Sequence, residues 1–261
     1  MPQAVCDSAG QLTCGHLVCG EGRSMEITDF YANEGKNVII RAGGKAYARH
    51  AISTHFVQSG ESYLQLIEKY VKPIYQSGDI LFSSEKVIAL CQKRIVTEAE
   101  VRPGFWARVL ARFVRRTPAG PGMGLPEKMQ FAINYCGLGK VLLASVCAGF
   151  DTIRGIHGTF YKMLGREIQG LDGFYGEDIP EYAHIGIRIP SEPDRVCDEV
   201  WLKTGVVMAI VDANDLGIEL LGKSGPLHGC PEAALLDLVA DNPAGQSCQF
   251  TPFILVRECG L

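Results

Sequence analysis

The stretch from Val206 to Ser224, VVMAIVDANDLGIELLGKS, constrains the fold more than any other part of the chain. Its apolar first half predicts a buried β-strand, because a short apolar run bounded by turn residues is typical of one. The run ends in Asp212 and Asp215, so both carboxylates are expected at a sheet edge, where carboxylates can bind a cation. A second acidic turn, Ala240 to Gln246, contains Asp241. We expect the two turns to form one site.

The composition is that of an ordinary globular protein. Of the 261 residues, 47% are hydrophobic and 21% are charged, which is enough apolar material for a sizeable core. The formal net charge of -4 argues against nucleic acid or an acidic membrane surface as the main partner. The longest apolar run, Val141 to Phe150, is too short to span a bilayer. We therefore expect a soluble, cytoplasmic protein.

The cysteines and the first residues define the expected domain organisation. Residues 1–25 lack periodicity and are predicted to be a disordered tail, whereas residues 26–261 are predicted to form the folded unit, in one lobe or two. The tail contains Cys6, Cys14, His16 and Cys19, which could bind zinc or iron, although their spacing differs from the usual paired pattern. A metal-binding role for this tail is one open hypothesis. The remaining cysteines are single, which is typical of free thiols.

Sheet and helix alternate in the first third of the chain. The pattern predicts a strand at Val38–Arg41, a turn at Gly43–Gly44 and a second extended segment from His50 to Val57. A helix is expected over Ser62–Gln76. A short buried strand at Ile80–Phe82 should follow, and the Glu85 and Lys86 side chains after it lie where ligand-binding groups are common.

Three segments in the middle of the chain have less regular patterns. Phe105–Arg116 predicts an amphipathic helix, and the apolar run Val141–Phe150 is expected in the core. The two-residue loop Gly165–Arg166 predicts a type II′ β-hairpin between its flanking segments. The arginines between Arg102 and Arg116 favour a solvated basic face, with a phosphate clamp as the alternative. The inward residues of the first helix are predicted to be Trp106, Val109, Leu110, Phe113 and Val114.

Gly217–Ser224 matches the pattern of a phosphate-binding P-loop. A P-loop must lead into a helix whose N-terminus binds the phosphates, and Pro226 and Pro231 prevent a sustained helix here. The residues from Ile218 to Leu221 are therefore predicted to form another strand.

Five motifs occur in the same order as in a known family. They are the run from Lys86 to Arg94 after Gly78-Asp79, the Gly170-Leu171-Asp172 turn, the helix start Pro190–Asp194, the turn Asp212–Gly217, and the turn Asp241–Gln246 followed by Thr251 and Arg257-Glu258. In this order the chain resembles the γ-glutamyl ligases that add glutamate to the deazaflavin coenzyme F420. Gln92 stands where that family has a glutamate, and the arginine of its DTFGR turn is missing.

The resemblance implies an α+β, two-lobed γ-glutamyl-ligase-like fold with mixed sheets and packed helices, in an intertwined homodimer. It implies an enzyme that uses GTP and Mg²⁺ or Mn²⁺ to join L-glutamate to a small carboxylate-bearing acceptor. Phosphorylation of a carboxylate gives an acyl phosphate that an amine can attack. The implied metal ligands are Asp212, Asp215, Asp241 and Glu258, the implied catalytic residues are Lys86 and Arg94, and the implied nucleotide-binding residues are Asp172, Gly217 and Thr251.

Each assigned residue also has a structural interpretation. Asp212, Asp215 and Asp241 are good turn formers, Asp172 could close a tight turn, and the remaining charged residues could be surface charges. The alternative function is a non-catalytic relative that binds a nucleotide or coenzyme in a regulatory or carrier role.

Overall fold

The computed structural model of the chain describes residues 26–114, 122–156, 158–174, 183–214, 217–245 and 249–259. They form a mixed α+β fold, in agreement with the predicted class. The strands are β1 (Ile39–Ala42), β2 (Lys45–Ile52), β3 (Ile80–Ser84), β4 (Ile95–Thr97), β5 (Asp172–Gly173), β6 (Ile185–Ile187), β7 (Met208–Asn214), β8 (Gly217–Lys223) and β9 (Phe253–Cys259). The helices are α1 (Tyr63–Leu66), α2 (Glu85–Cys91), α3 (Phe105–Ala111), α4 (Pro126–Cys136), α5 (Leu138–Ile153), α6 (Thr159–Leu164), α7 (Arg166–Gln169), α8 (Pro193–Thr204) and α9 (Glu232–Asp237).

The larger sheet has six strands in the order β1-β2-β9-β3-β7-β8. Within it β3 and β7 run parallel, and the other neighbouring strands are antiparallel. Successive residues of its central strands point to opposite faces, so Leu81 and Leu255 enter one core while Phe82 and Ile254 enter another. The sheet is therefore buried on both sides, which explains the apolar runs in its central strands.

Helices cover both faces of this sheet. The first face packs against α1, the π-helical turn Ile67–Val71 that continues it, α2 and α8. Ser62 begins the first of these helices, since its hydroxyl accepts a hydrogen bond from the Gln65 amide. The opposite face packs against α9 and the 3₁₀ segment Gly225–Leu227.

A second core lies among α3 to α7, which pack beside the three-stranded antiparallel sheet β4-β6-β5. Its buried residues include Met129 and Phe131 of α4 and Val141 of α5. Gly137, with a φ of 84°, joins α4 to α5 at a bend of 119°. Within the described residues no single helix is long and apolar enough to cross a membrane, and only this bent pair passes that test jointly.

Several predicted elements are confirmed. The strands expected at Val38–Arg41 and Ile80–Phe82 are β1 and β3, and the helix start within Pro190–Asp194 is that of α8, which ends before Gly205. Gly205 has a φ of 75°, a conformation that glycine adopts readily at a helix end. Gly217–Lys223 is the strand β8, so the segment that matches the P-loop pattern does not begin a helix.

The predicted hairpin around Gly165–Arg166 is wrong. The segments on either side are the short helices α6 and α7, and Gly165 joins them with a φ of 94°. Leu164 at the end of α6 and Ile168 in α7 are both buried in the second core. Burial of this apolar pair in the second core outweighs the local turn preference of the Gly-Arg pair.

The predicted inward face of α3 is wrong in part. Trp106 is 45% exposed and Phe113, just beyond the helix, is 82% exposed. Ala107 and Ala111 are buried instead, because small side chains allow α3 to approach α4 closely. Arg108 and the other described arginines of this segment are exposed, as the solvated-face interpretation predicts.

The core assignment of Val141–Phe150 also holds only in part. Val141 and Ala144 are buried, whereas Leu143, Val146 and Phe150 are each more than half exposed. A helix that is apolar around most of its circumference gives no periodic signal for its buried side, which is why the pattern did not distinguish the two faces.

The buried ion pair between Asp79 and Arg257 should be important for stability. Arg257 donates to both carboxylate oxygens, at 2.8 Å from Nε and 2.7 Å from a terminal nitrogen, and both residues are buried. We expect Asp79→Ala to lower the free energy of unfolding by about 3–5 kcal/mol, because it leaves a buried guanidinium without this carboxylate. Urea unfolding measures this change. The exposed Asp237→Ala is the control, and equal stabilities of the two variants would contradict the prediction.

Candidate functional site

The candidate site lies where β3 ends beside β7. Ser84, the last residue of β3, is opposite Val211 of β7 in the parallel register. The next residues, Glu85 at the start of α2 and Asp212 near the end of β7, therefore lie close together and interact electrostatically. Ligands commonly bind at this edge of such sheets, because chain turns there leave room between the strands.

Glu85 is the most unusual group of the site. It is 7% exposed at the start of α2, and its Oε2 accepts no hydrogen bond from any described residue. Burial, together with the negative charge of Asp212 and against the opposing charge of Lys86, raises the pKa of Glu85 to about 8. A buried carboxyl oxygen without a hydrogen bond is energetically unfavourable, and coordination of a cation would satisfy it.

Two lysines from different layers approach one carboxylate beside Glu85. Lys86 Nζ of α2 lies 2.6 Å from Oδ2 of Asp172 in β5, and Lys128 Nζ of α4 lies 3.8 Å from Oδ1 of the same residue. Lys128 is only 4% exposed. Burial lowers the pKa of Lys128, an effect that Asp172 opposes and Lys86 reinforces. We call Glu85, Lys86, Lys128, Asp172 and Asp212 the strand-end cluster.

The outer rim of the cluster is formed by β8 and α7. Glu219 of β8 is paired with Asp212 across the antiparallel β7-β8 ladder, and it forms an ion pair with Arg166 of α7. Gly217, one of the implied nucleotide-binding residues, is the exposed first residue of β8. The rim therefore joins the large sheet to the helices of the second core.

Arg94 and Thr251 have internal partners. Arg94 donates to the Ile189 carbonyl at 2.6 Å and forms an ion pair with Glu167, so it fixes the segment before β4. The Thr251 hydroxyl accepts from Asn33 and donates to the Ala244 carbonyl, each at 2.8 Å. Both side chains thus stabilise local structure in the described fold.

Asp241 and Glu258 lie apart from the strand-end cluster and are ion-paired. Asp241 receives two hydrogen bonds from buried Arg49, one of them at 2.9 Å, and these lower its pKa. Glu258 lies 2.9 Å from Lys45 on the neighbouring strand β2. Asp241 is thus paired with a buried guanidinium, whereas Glu258 belongs to an exposed ion pair.

The sheet register separates Glu258 from Asp212. Because Ser83 is opposite Phe253, the end of β3 is level with Thr251, and Glu258 lies seven residues farther along β9. At about 3.3 Å per residue this is roughly 23 Å. A single chain therefore does not bring these two predicted metal ligands together. Asp215, the remaining predicted ligand, lies outside the described residues.

Comparisons with known proteins give no family. No family model matches the chain, and no curated protein sequence matches it significantly. The part of the chain that the structure describes also has no group of three or more His, Cys, Asp or Glu side chains arranged to hold a metal ion.

Sequence reasoning missed Lys128. The sequence carries one signal, because Lys128 precedes Ala132 by four residues and so lies on the same side as this apolar residue in a helix. A lone lysine at such a position indicates a buried charge that needs a partner, and buried charges are concentrated at functional sites.

The raised pKa of Glu85 should make stability depend on pH. Its folded pKa of about 8 exceeds the ordinary 4.5, so the stabilisation is present below pH 4.5 and is lost as the pH rises through 8. Glu85→Gln cannot titrate. Between pH 5 and pH 9, in EDTA, we expect the variant to gain on the order of 3 kcal/mol relative to the wild type.

Chemical unfolding at both pH values measures this difference, with the exposed Glu232→Gln as the control. A stability difference between Glu85→Gln and wild type that stays the same at pH 5 and pH 9 would show that Glu85 titrates normally.

Proposed function

We propose that the chain is a GTP- and divalent-cation-dependent ligase that joins L-glutamate to a small carboxylate-bearing acceptor. In this reaction an acceptor carboxylate oxygen bonds to the γ-phosphorus of GTP and GDP leaves. The amine of glutamate then bonds to the acyl carbon, phosphate leaves and the amine loses a proton to water. Acceptor, GTP and glutamate thus give an amide, GDP and phosphate.

The observation that supports this proposal is the convergence of three motifs. Lys86, Asp172 and Asp212 belong to three of the five segments that resemble the ligase family and are far apart in the sequence. In the fold, Lys86 pairs with Asp172, and both interact electrostatically with Glu85 beside Asp212. If these residues only formed turns or carried surface charge, nothing would require them to lie close together in the fold.

The strand-end cluster has suitable oxygen donors for a divalent cation. Glu85 Oε2 is buried and accepts no hydrogen bond within the described structure, and Asp212 is beside it. Mg²⁺ in nucleotide-dependent enzymes is bound through one or two carboxylates and completes its shell with water and phosphate oxygens. Two protein carboxylates are thus enough. When bound, the cation would neutralise phosphate charge.

The remaining groups of the cluster position an anionic substrate. Lys86 has a side chain 41% exposed, so its ammonium group is accessible to a phosphate or carboxylate. The burial of Glu85 keeps water from the floor of the cluster, which strengthens electrostatic interactions there.

A second candidate function is nucleotide or coenzyme binding without turnover. It is favoured by Arg94, whose guanidinium is engaged by Glu167 and the Ile189 carbonyl instead of facing the strand-end cluster. A family arginine used for structure is consistent with a relative that has kept binding and lost catalysis.

Product analysis tests the proposal. The purified full chain is incubated with GTP, Mn²⁺, L-glutamate and the deazaflavin acceptor F420-0. We expect GDP release that requires both Mn²⁺ and glutamate, together with a glutamylated product. Asp212→Asn should lower this rate by at least about a hundredfold, a typical loss when a group that stabilises transition-state charge is removed.

The exposed Asp237→Asn is the matched control and should retain wild-type turnover. GTP binding without GDP release would favour the second candidate function, and absence of both would overturn the proposal.

A further inference from the structure

The strand-end cluster combines opposite charges from separate layers. The two positive formal charges of Lys86 and Lys128 lie among the three negative ones of Glu85, Asp172 and Asp212. Each lysine approaches a different oxygen of Asp172, which thus separates two ammonium groups that would otherwise repel each other. The Gly173 amide donates to Oδ1 of Asp172 at 2.8 Å and fixes this carboxylate between them.

We propose that Lys86 and Lys128 together bind the phosphate groups of an anionic substrate, and that this anion and the divalent cation bind cooperatively. The inference rests on the proposed function only for the cation site at Glu85 and Asp212. It adds Lys128 as a binding residue and charge balance as the reason for cooperativity.

Charge balance explains the cooperativity. A cation alone adds two positive charges beside two lysines, and an anion alone adds negative charge beside Asp172 and Asp212. Each addition is opposed by like charges at short range in a partly buried site, where screening by solvent is weak. A divalent cation and a phosphate-class dianion together leave the net charge of the cluster unchanged, so each is expected to favour the other by linkage.

Lys128 can reach a ligand without being exposed to bulk solvent. It comes from α4, whose neighbouring residues Met129 and Phe131 are buried in the second core, and its Nζ lies at the same carboxylate as the accessible Lys86. A phosphate has several anionic oxygens and can accept hydrogen bonds from two ammonium groups at once. An anion bound at Lys86 would therefore also lie close to Lys128.

The variant Lys128→Met separates this proposal from a structural role, because it predicts effects of opposite sign. Loss of one positive charge should tighten Mn²⁺ binding in the absence of anion by about threefold or more. It should weaken pyrophosphate binding in EDTA by about tenfold or more. Isothermal titration calorimetry with Mn²⁺ alone, pyrophosphate alone and both together measures the two affinities and their coupling.

Three further variants complete the test. Lys140→Met removes an exposed lysine of α5 and should change neither affinity, whereas Lys128→Arg keeps the charge and should restore pyrophosphate binding. Lys86→Met alters a more exposed side chain and should show the same opposite effects if Lys128→Met does not fold. Thermal melting confirms that each variant is native.

Unchanged pyrophosphate affinity in natively folded Lys128→Met, or a loss of both affinities, would overturn the inference. The outcome is distinguishable from failure of the proposed function. Opposite changes in the two affinities without GTP turnover would reject the ligase proposal and support joint binding of an anion and a cation at the strand-end cluster. GTP turnover by the wild type with an unchanged pyrophosphate affinity in Lys128→Met would support the ligase proposal and reject the role of Lys128.

Discussion

The parallel pairing of β3 with β7, inside a sheet that is buried on both faces, is the constraint on which the candidate site depends. Because both strands are covered, their central side chains are apolar, and the first carboxyls beyond these apolar runs, Glu85 and Asp212, meet at one edge. Glu85 cannot turn away to solvent, since it begins a helix packed on the same sheet. Burial then disfavours its charge, and the neighbourhood of Asp212 adds to that effect. A site of this kind stores an unfavourable electrostatic arrangement that a bound cation can relieve.

The two ends of the large sheet use charge differently. At the end where β3 begins, Asp79 pairs with Arg257 and Asp241 pairs with Arg49, so each buried guanidinium has a carboxylate and the local structure is fixed. At the other end, Asp172 is placed between lysines from two helices, and Glu85 keeps an oxygen without a hydrogen bond from the described residues. Fully paired charges are typical of structural roles, whereas incompletely satisfied ones are concentrated at binding sites.

The outline of the large sheet could be predicted because local chemistry and burial agree there. Apolar runs bounded by glycine and aspartate turns, such as Ile80–Phe82, have few alternatives to a buried strand. The hairpin prediction at Gly165–Arg166 is wrong because it used only local turn chemistry, whereas burial of the neighbouring Leu164 and Ile168 in the second core favours two short helices. The convergence of Lys86 with Asp172 could not be predicted from spacing, since it depends on how the second core packs against the sheet. The ion pair of Asp241 with Arg49 could not be predicted either, because the two residues are distant in sequence.

The central claim is that the carboxyl ends of β3 and β7 bind a cation. It is tested most directly by a crystal structure of the full chain grown with GTP and Mn²⁺, in which anomalous scattering locates the metal. We expect an anomalous peak within about 2.6 Å of carboxylate oxygens of Asp212 and of Glu85 or Asp172. A peak at Asp241 or Glu258 instead, or bound GTP with no metal at the strand ends, would contradict it.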